Sequence, residues 1–385
     1  MVRGSVSNNR EAPRLHDVPE AVPGGAFSTS LLRPKRPARM TSDVVFEVTT
    51  SSLIPMRSSR LLAFSLLVSL ALAMGASSTF AADLRVGLIG LDTSHVIAFT
   101  KALNDPKNKD HVPGAKVVAI FKGGSPDIAS SATRVDGFTA DLLKYPEIKL
   151  YESIAELAKN VDAIMIESVD GRPHLAQFKE VMTSGKPVFI DKPIAGSLRD
   201  AIEIFQLAKK HKVPVFSSSS LRFNALAALK GAKYGDLHGA FTFGPASLDP
   251  THPDLFWYGI HAVETLYTVM GRGCETVVRT QTANTEIVTG VWSGGQVGTM
   301  RGNRNGKGAY GVTVFGSTAV VSPELKTGYG ALLQEIVKFF QTRVSPVAPE
   351  ETLELIAFME AADESKRRGG APVTIAEVMK ANQPK

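Results

Sequence analysis

Short apolar runs alternate with segments of helical periodicity between residues 82 and 216. The runs end abruptly at glycine, proline or charged residues, and they cover residues 83–90, 116–121, 161–166, 188–190 and 213–216. Runs of this kind are typical of buried parallel strands, and the segments between them are long enough for crossover helices. The pattern therefore predicts a right-handed, doubly wound parallel sheet.

A different pattern begins at residue 217, where apolar and polar positions alternate and short glycine-containing turns separate the runs. It predicts an open antiparallel sheet in a second α/β domain over residues 217–385. Two helices, at 329–342 and 350–368, are expected to close the chain. The predicted fold class is thus α/β, with a doubly wound domain over 82–216 followed by this second domain.

The N-terminal segments show neither pattern. Residues 1–55 are rich in Ser, Pro and Arg and are predicted to be disordered, whereas residues 56–81 have the three parts of a signal peptide. These parts are Arg57 and Arg60, an apolar run over 61–74 and small residues ending at Ala81. We therefore expect translation to start at Met56, with 1–55 a mis-translated upstream segment, and the chain to be exported. An uncleaved buried or anchoring helix is the alternative, although the run is shorter than a membrane span of about 20 residues.

The charge and cysteine content argue against a nucleic-acid-binding protein and against a disulfide-stabilised fold. Most of the net charge of +6 lies in residues 1–81, so the remaining chain has no basic excess of the kind that binds nucleic acid. The single cysteine, Cys274, excludes an internal disulfide framework.

Asp191 and Lys192 follow the apolar run 188–190 directly, and Pro193 fixes the backbone beyond them. In an open α/β sheet the carboxyl ends of the strands are where ligands bind, so Lys192 is a candidate for proton or charge chemistry. The alternative is an ordinary surface turn with a solvated lysine.

Six motifs in one order resemble the glucose-fructose oxidoreductase, inositol dehydrogenase and MocA-like (Gfo/Idh/MocA) family across nearly all of residues 85–375. The resemblance implies that the chain is a divergent, exported member of this family. The motifs are RVGLIG, SVDGRPH, GKPVFIDKP, LRFN, GIHAVE and EAADESKRRGGAPV. The resemblance implies a Rossmann-like dinucleotide-binding domain followed by a substrate and oligomerisation domain. It also implies an NAD(P)-dependent oxidoreductase that acts on a sugar, polyol or related carbohydrate. A homo-oligomer, paired through the open sheet, is expected.

The resemblance also assigns the catalytic residues. Lys192 corresponds to the lysine of the family's Glu-Lys-Pro motif, with Asp191 in place of the glutamate, and His261 matches its general acid or base. Glu264 lies at i+3 from His261, where its carboxylate could orient the imidazole. A histidine simply packed in an amphipathic helix is the alternative.

The cofactor implied by the resemblance is NAD or NADP. Its expected contacts are Gly87, Gly90, Asp92, His95, Lys122, Ser125, Ser168, His174 and Asp191. Gly90 is the first glycine of the G-x-G-x-x-G turn, but Asp92 and His95 replace the second and third. Asp92 would repel a pyrophosphate, or else it simply caps the helix. Lys122 with Ser125 either receives the 2′-phosphate of NADP or is a solvated loop lysine.

A second hypothesis stays open beside the oxidoreductase. Asp249, His252 and Asp254 precede His261 and form a weak candidate for a Zn²⁺ or Mn²⁺ site, with a polar loop as the alternative. Together with the lost glycines and the predicted export, they allow a cofactor-independent carbohydrate lyase, hydrolase or binding protein on the same fold, with or without a metal.

Overall fold

The computed structural model describes residues 82–383. The predicted disordered segment 1–55 and the predicted signal peptide 56–81 lie outside the described residues. Within residues 82–383, no helix is long and apolar enough to cross a membrane.

A six-stranded parallel sheet occupies the first half of this part of the chain. Its strands are β1 (Leu84–Ile89), β2 (Ala115–Phe121), β3 (Lys149–Leu150), β4 (Ala163–Ile166), β5 (Val188–Ile190) and β6 (Val215–Ser217), in the order β3-β2-β1-β4-β5-β6. All five neighbouring pairs are parallel. The order reverses between β1 and β4, which creates a crevice at the carboxyl ends of these strands.

Helices cover both faces of this sheet. They are α1 (Ser94–Asn104), α2 (Ala129–Ala132), α3 (Val135–Leu142), α4 (Ile154–Lys159), α5 (His174–Val181) and α6 (Leu198–His211). In α1 the apolar residues Val96, Phe99 and Leu103 recur at helical spacing and are buried. The hydroxyl of Thr93 accepts a hydrogen bond from the backbone N–H of His95 and caps this helix at the crevice.

The second half of the chain forms a seven-stranded sheet. Its strands are β7 (Leu237–Pro245), β8 (Cys274–Gln281), β9 (Thr285–Trp292), β10 (Val297–Asn303), β11 (Gly311–Gly316), β12 (Val320–Val321) and β13 (Val373–Thr374), in the order β12-β11-β7-β10-β9-β8-β13. The alternating pattern predicted a wholly antiparallel sheet. The sheet is instead mixed, because β10 pairs with β7 in parallel. The α/β fold class of two such modules is confirmed.

The helices of this half pack on one face of the sheet or return to the first module. They are α7 (Ser220–Leu229), a π-helical turn (Leu255–Gly259), α8 (Ile260–Met270), α9 (Gly330–Thr342), α10 (Pro349–Arg367) and α11 (Ile375–Ala381). Helix α9 buries Leu333, Ile336 and Phe339 in the core of the parallel sheet. The ring of Phe339 packs edge-to-face on Phe216 of β6, at 4.8 Å between centroids. Helix α9 thereby attaches the second half of the chain to the first module.

Candidate active site

A cavity of about 1000 Å³ opens between the two modules at the carboxyl ends of the parallel strands. Its volume is in the range of small-molecule and cofactor sites. The first module contributes Thr93, Ser94, His95, Ser130, Arg134 and Lys192, and the second contributes Trp257, Tyr258, His261, Tyr310 and Tyr329. The structure therefore brings Lys192 and His261 to one cavity from separate modules.

Lys192 follows β5 and is almost completely buried, with 8% of its surface exposed. Its backbone N–H donates to Oδ1 of Asp191 at 2.8 Å, which fixes the turn at the end of the strand. Its Nζ lies 5.9 Å from the centroid of the Tyr258 ring. A lysine held in this way presents a positive charge to the cavity rather than to bulk solvent.

His261 lies in the first turn of α8, and its Nδ1 is 2.7 Å from the hydroxyl of Ser219. No other partner within residues 82–383 contacts its ring nitrogens, so Nε2 is available to a ligand. Burial, then the charges of Lys192 and His95, lower the pKa of His261 well below 6.5. The imidazole is therefore neutral near pH 7 and can accept a proton.

Glu264 does not orient His261, which corrects the prediction. Its Oε1 accepts hydrogen bonds from Nε of Arg222 at 2.5 Å and from the hydroxyl of Ser218 at 3.0 Å. Arg222 also binds Glu351 of α10. A buried carboxylate needs a compensating charge, and Arg222 supplies it, so Glu264 joins three helices instead of entering the cavity. Ser219, which the sequence reasoning missed, holds the imidazole in its place.

Gly90 forms a tight turn, as the motif predicts. Its φ is +87°, and a Cβ there would lie 2.2 Å from Oγ of Ser168. Ser168 itself is buried, and its hydroxyl bonds to the side chain of Gln177. Gly87, in contrast, is not a cofactor contact, because a Cβ there would meet the core side chain of Leu157 at 2.4 Å. Its lack of a side chain serves helix packing against β1.

Replacing Gly90 with alanine is expected to lower the free energy of unfolding by about 1–3 kcal/mol, because a left-handed alanine is strained and its methyl group collides with Ser168. Urea unfolding measures the change. Gly137→Ala is the matched control: this glycine lies inside α3 with nothing within 4 Å of an added Cβ, so the substitution should not destabilise the chain. Equal stability of Gly90→Ala and the wild type would contradict the described turn.

Asp92 does not cap α1, which was one of its two predicted roles, and it does not line the cavity. It is fully buried, and its carboxylate accepts hydrogen bonds from the hydroxyl of Ser131 at 2.6 Å and from the N–H of Val169 at 2.9 Å. Thr93 is the cap. Asp92 thus ties the loops after β2 and β4 to the turn after β1, and it is not a cofactor ligand in this arrangement.

Lys122 and Ser125 do not form a 2′-phosphate site. Lys122 is half exposed, outside the cavity lining, and pairs with Asp136 at 2.6 Å. The hydroxyl of Ser125 is buried and donates to Asp170 at 2.6 Å. Asp170 also binds Arg172 at 2.7 Å. These groups are occupied by one another, which the sequence could not show because the loops meet only in the fold.

His174 is a structural residue rather than a cofactor contact. Its ring is fully buried, with Nδ1 2.9 Å from the carbonyl oxygen of Pro193 and Nε2 3.0 Å from that of Ser168. Burial lowers the pKa of His174. The histidine joins the loop after β4 to the loop that carries Lys192.

The weak metal candidate before His261 is not formed. Nε2 of His252 lies 3.1 Å from Asp170, and Asp249 accepts a hydrogen bond from Thr251. Asp254 instead binds Arg279, at 2.8 Å. The ion pair with buried Arg279 separates Asp254 from the other two expected ligands. The contact of His252 with Asp170 instead connects this loop to the first module.

A different cluster, partly missed by the sequence reasoning, lies at the crevice. Nδ1 of His95 is 2.7 Å from Oδ2 of Asp191, and Glu167, which follows β4, is fully buried beside them. Burial raises the pKa of Asp191, but His95 and then Lys192 outweigh it and bring that pKa down to about 2. A charged residue directly after the apolar run 161–166 was the available signal for Glu167.

Two further donors missed by the sequence reasoning line the cavity. Arg134 and Ser130 come from the loop and short helix after β2, and the buried hydroxyl of Ser130 has no hydrogen-bond partner within residues 82–383. Neither stands in a recognisable motif, so the sequence offered no signal for them.

Comparisons with known proteins agree with this geometry. Residues 84–219 match the model of the oxidoreductase family with an NAD-binding Rossmann fold, Gfo/Idh/MocA. A candidate oxidoreductase of Salmonella typhimurium, YceM, is 30% identical over 131 residues, which are 32% of this chain and 41% of that protein. The chain therefore spans less than half the length of this curated relative.

Solved structures share the fold over most of the chain. A candidate dehydrogenase from Thermotoga maritima superposes with a TM-score of 0.63 at 20% identity, covering 77% of this chain and all of that one. The scyllo-inositol dehydrogenase from Lactobacillus casei, solved with NAD(H) and scyllo-inositol, gives 0.60 at 14% identity over 76% of this chain and 99% of that one.

Proposed function

We propose that the chain is an NAD-binding oxidoreductase of the Gfo/Idh/MocA family, whose model matches residues 84–219, and that it catalyses NAD(P)-dependent oxidation or reduction of a polyol, sugar or related carbohydrate. The observation that carries the proposal is the pair of Lys192 and His261, which line one cavity from opposite modules. Tyr258 and Tyr310 line the same cavity, and aromatic rings suit the apolar face of a carbohydrate ring.

The donors on the first module fit the phosphates of a dinucleotide. The unpartnered hydroxyl of Ser130, the guanidinium of Arg134 and the first turn of α1 at Ser94 all line the cavity. Hydroxyls, guanidinium groups and helix N-termini are donors that bind phosphate. These residues would hold the cofactor, which when bound supplies the hydride acceptor or donor.

The protein's own groups handle the proton. In the oxidation direction, neutral His261 accepts the hydroxyl proton of the substrate at Nε2, while Ser219 on Nδ1 keeps the ring in position. The ammonium group of Lys192 stabilises the negative charge that develops on the substrate oxygen. In the reduction direction, the same imidazole returns the proton.

The binding half of this proposal is tested by titrating the purified chain with NADH and, separately, with NADPH and following nicotinamide fluorescence. We expect saturable binding, weakened at least tenfold in Arg134→Gln because the phosphates lose a charged donor. Turnover is then sought with NAD⁺ or NADP⁺ and a panel that includes scyllo-inositol. Absence of binding to either nucleotide would reject the oxidoreductase in favour of the cofactor-independent alternative.

The pH profile of kcat/KM in the oxidation direction should show its acid limb well below pH 6.5. Since the folded pKa of His261 is lowered, the imidazole stays neutral through this range and takes up a proton only as the pH falls further. Steady-state rates across the range test this. An acid limb above pH 6.5 would contradict His261 as a buried, neutral base.

Self-association is proposed through the open face of the second sheet. Val291, Val297 and Phe315 are exposed there on three strands, while Gly290, Gly298 and Val314 beside them in those strands are buried. Native mass spectrometry should find an oligomer, and Val297→Lys should shift it toward monomer. A monomeric wild type would contradict the proposal.

A further inference from the structure

Three side chains from three neighbouring strand ends converge at the switch point of the parallel sheet. His95 opens α1 after β1, Glu167 follows β4 and Asp191 follows β5. One ligand atom from each lies within 4.8 Å of the other two. Ligands arranged tetrahedrally at about 2.0–2.2 Å from one ion lie about 3.5 Å apart. The cluster is therefore near the spacing that a single cation needs, once Nδ1 of His95 and Oδ2 of Asp191, which are 2.7 Å apart in a hydrogen bond, separate slightly to admit it.

Glu167 is the unusual member of this cluster. Its side chain is fully buried, and among residues 82–383 neither carboxylate oxygen has a hydrogen-bond partner. Buried polar groups are ordinarily satisfied, so the two unpartnered oxygens of Glu167 indicate a ligand bound within the cluster.

We propose that His95, Glu167 and Asp191 bind a divalent cation of borderline softness, such as Zn²⁺ or Mn²⁺. One imidazole nitrogen and two carboxylates are a ligand set that such ions accept, whereas Mg²⁺ and Ca²⁺ prefer oxygen alone. The two carboxylates outweigh the single ammonium group of Lys192, which keeps the local charge favourable for a cation.

The surroundings hold two of the ligands in place. The His95 ring stacks on Phe99 at 5.2 Å and meets Tyr329 edge-on at 4.8 Å between centroids. Asp191 accepts the backbone N–H of Lys192 through Oδ1, so Oδ2 is the oxygen turned to His95. Fixing ligands through neighbouring groups is what raises the affinity of metal sites.

The cavity would let an ion reach the cluster and contact a bound substrate. His95 lines the same cavity as His261, so a cation held by three protein ligands would keep open positions toward a bound substrate oxygen. Such an ion would polarise a hydroxyl or carbonyl group as a Lewis acid, next to the base that takes the proton. This inference goes beyond the proposed hydride transfer and does not depend on it.

The test is calorimetric titration of the chelator-treated chain with Mn²⁺ alone and Zn²⁺ alone, without nucleotide. The wild type should bind one ion per chain, and Glu167→Gln should bind it at least tenfold more weakly because it removes a ligand. Asp249→Asn is the matched control, since Asp249 lines the same cavity outside the cluster, and should bind as the wild type does. No binding by the wild type, or equal binding by Glu167→Gln, would overturn the site.

Thermal unfolding separates lost binding from lost folding. Without metal, Glu167→Gln should be at least as stable as the wild type, because the amide carries no charge to bury. Excess Mn²⁺ should raise the Tm of the wild type but not that of the variant. Equal increases in both would overturn the proposal, and His95→Gln provides a second variant should Glu167→Gln fail to fold. NADH binding measured on the same samples shows separately whether the oxidoreductase proposal stands.

Discussion

Replacing Lys192 with methionine is expected to reduce kcat/KM for any polyol that the chain turns over by at least 100-fold. Lys192 is buried at the end of β5 beside the cavity that His261 also lines, so its charge acts on the reacting oxygen with little screening by water. Methionine keeps the length and apolar contacts of the side chain but removes that charge. Initial rates at several substrate concentrations measure the loss.

Two comparisons make this result specific. Lys338→Met removes an exposed lysine of α9, outside the cavity lining, and should leave kcat/KM unchanged. Thermal unfolding of Lys192→Met shows whether the variant is folded. Full activity in a folded Lys192→Met variant would remove this lysine from the mechanism.

Replacing Arg279 with methionine should lower the free energy of unfolding by about 3–5 kcal/mol. The guanidinium is fully buried and binds Asp254, Glu286 and Asp363. Its removal leaves Asp363 without a counter-charge, while Glu286 keeps only Arg304 and Asp254 keeps only Lys366. Burial already raises the pKa of Asp363 to about 7 against the lowering effect of Arg279. Urea unfolding measures the change.

Replacing Arg279 should also disturb the candidate active site. Asp254 directly precedes the π-helical turn that leads into α8, so Arg279 anchors the segment that carries Tyr258 and His261. Arg301→Met, at an exposed position of β10, should change stability by no more than about 0.5 kcal/mol. A loss below about 1 kcal/mol in Arg279→Met would show that the buried cluster is not held by this arginine.

The parts of the site that sequence could predict are those set by strand ends. An apolar run that stops at a charged residue places that residue at the carboxyl edge of a parallel sheet, which located Asp191 and Lys192. The histidine of α8 followed from the resemblance. Sequence spacing could not identify the hydrogen-bond or ion-pair partner of each side chain, because these partners come from elements that are distant in the sequence.

Glu264 illustrates that limit. Spacing of i and i+3 on one helix placed it beside His261, but Arg222, 42 residues away along the chain, lies closer in the fold and carries a full charge. The loop after β2 shows the same effect, because Ser125 is hydrogen-bonded to Asp170 of the loop after β4, two strands away in the sheet. In both cases the hydrogen-bond partner comes from an element far away in the sequence, so spacing along the chain could not identify it.

The mixed sheet was missed for a topological reason. Alternating apolar positions predict a half-exposed strand but not the direction of its neighbour. Strands β8, β9 and β10 form an antiparallel meander, and the return beside β7 then makes one parallel pair. The crossover helix α8, which carries His261, is the element that this parallel pairing requires.

The central claim is that a lysine and an imidazole from two modules support hydride transfer in one cavity, and a single-turnover experiment with His261→Asn tests it most directly. Wild-type chain and variant are each mixed with NAD⁺ or NADP⁺ and a carbon-deuterated polyol, and the deuterium content of the recovered nicotinamide is measured by mass spectrometry. We expect deuterium in the nucleotide from the wild type, and none from a folded variant that still binds NADH. Equal deuterium transfer in the variant, or no transfer by a wild type that converts the polyol to another product, would contradict the account.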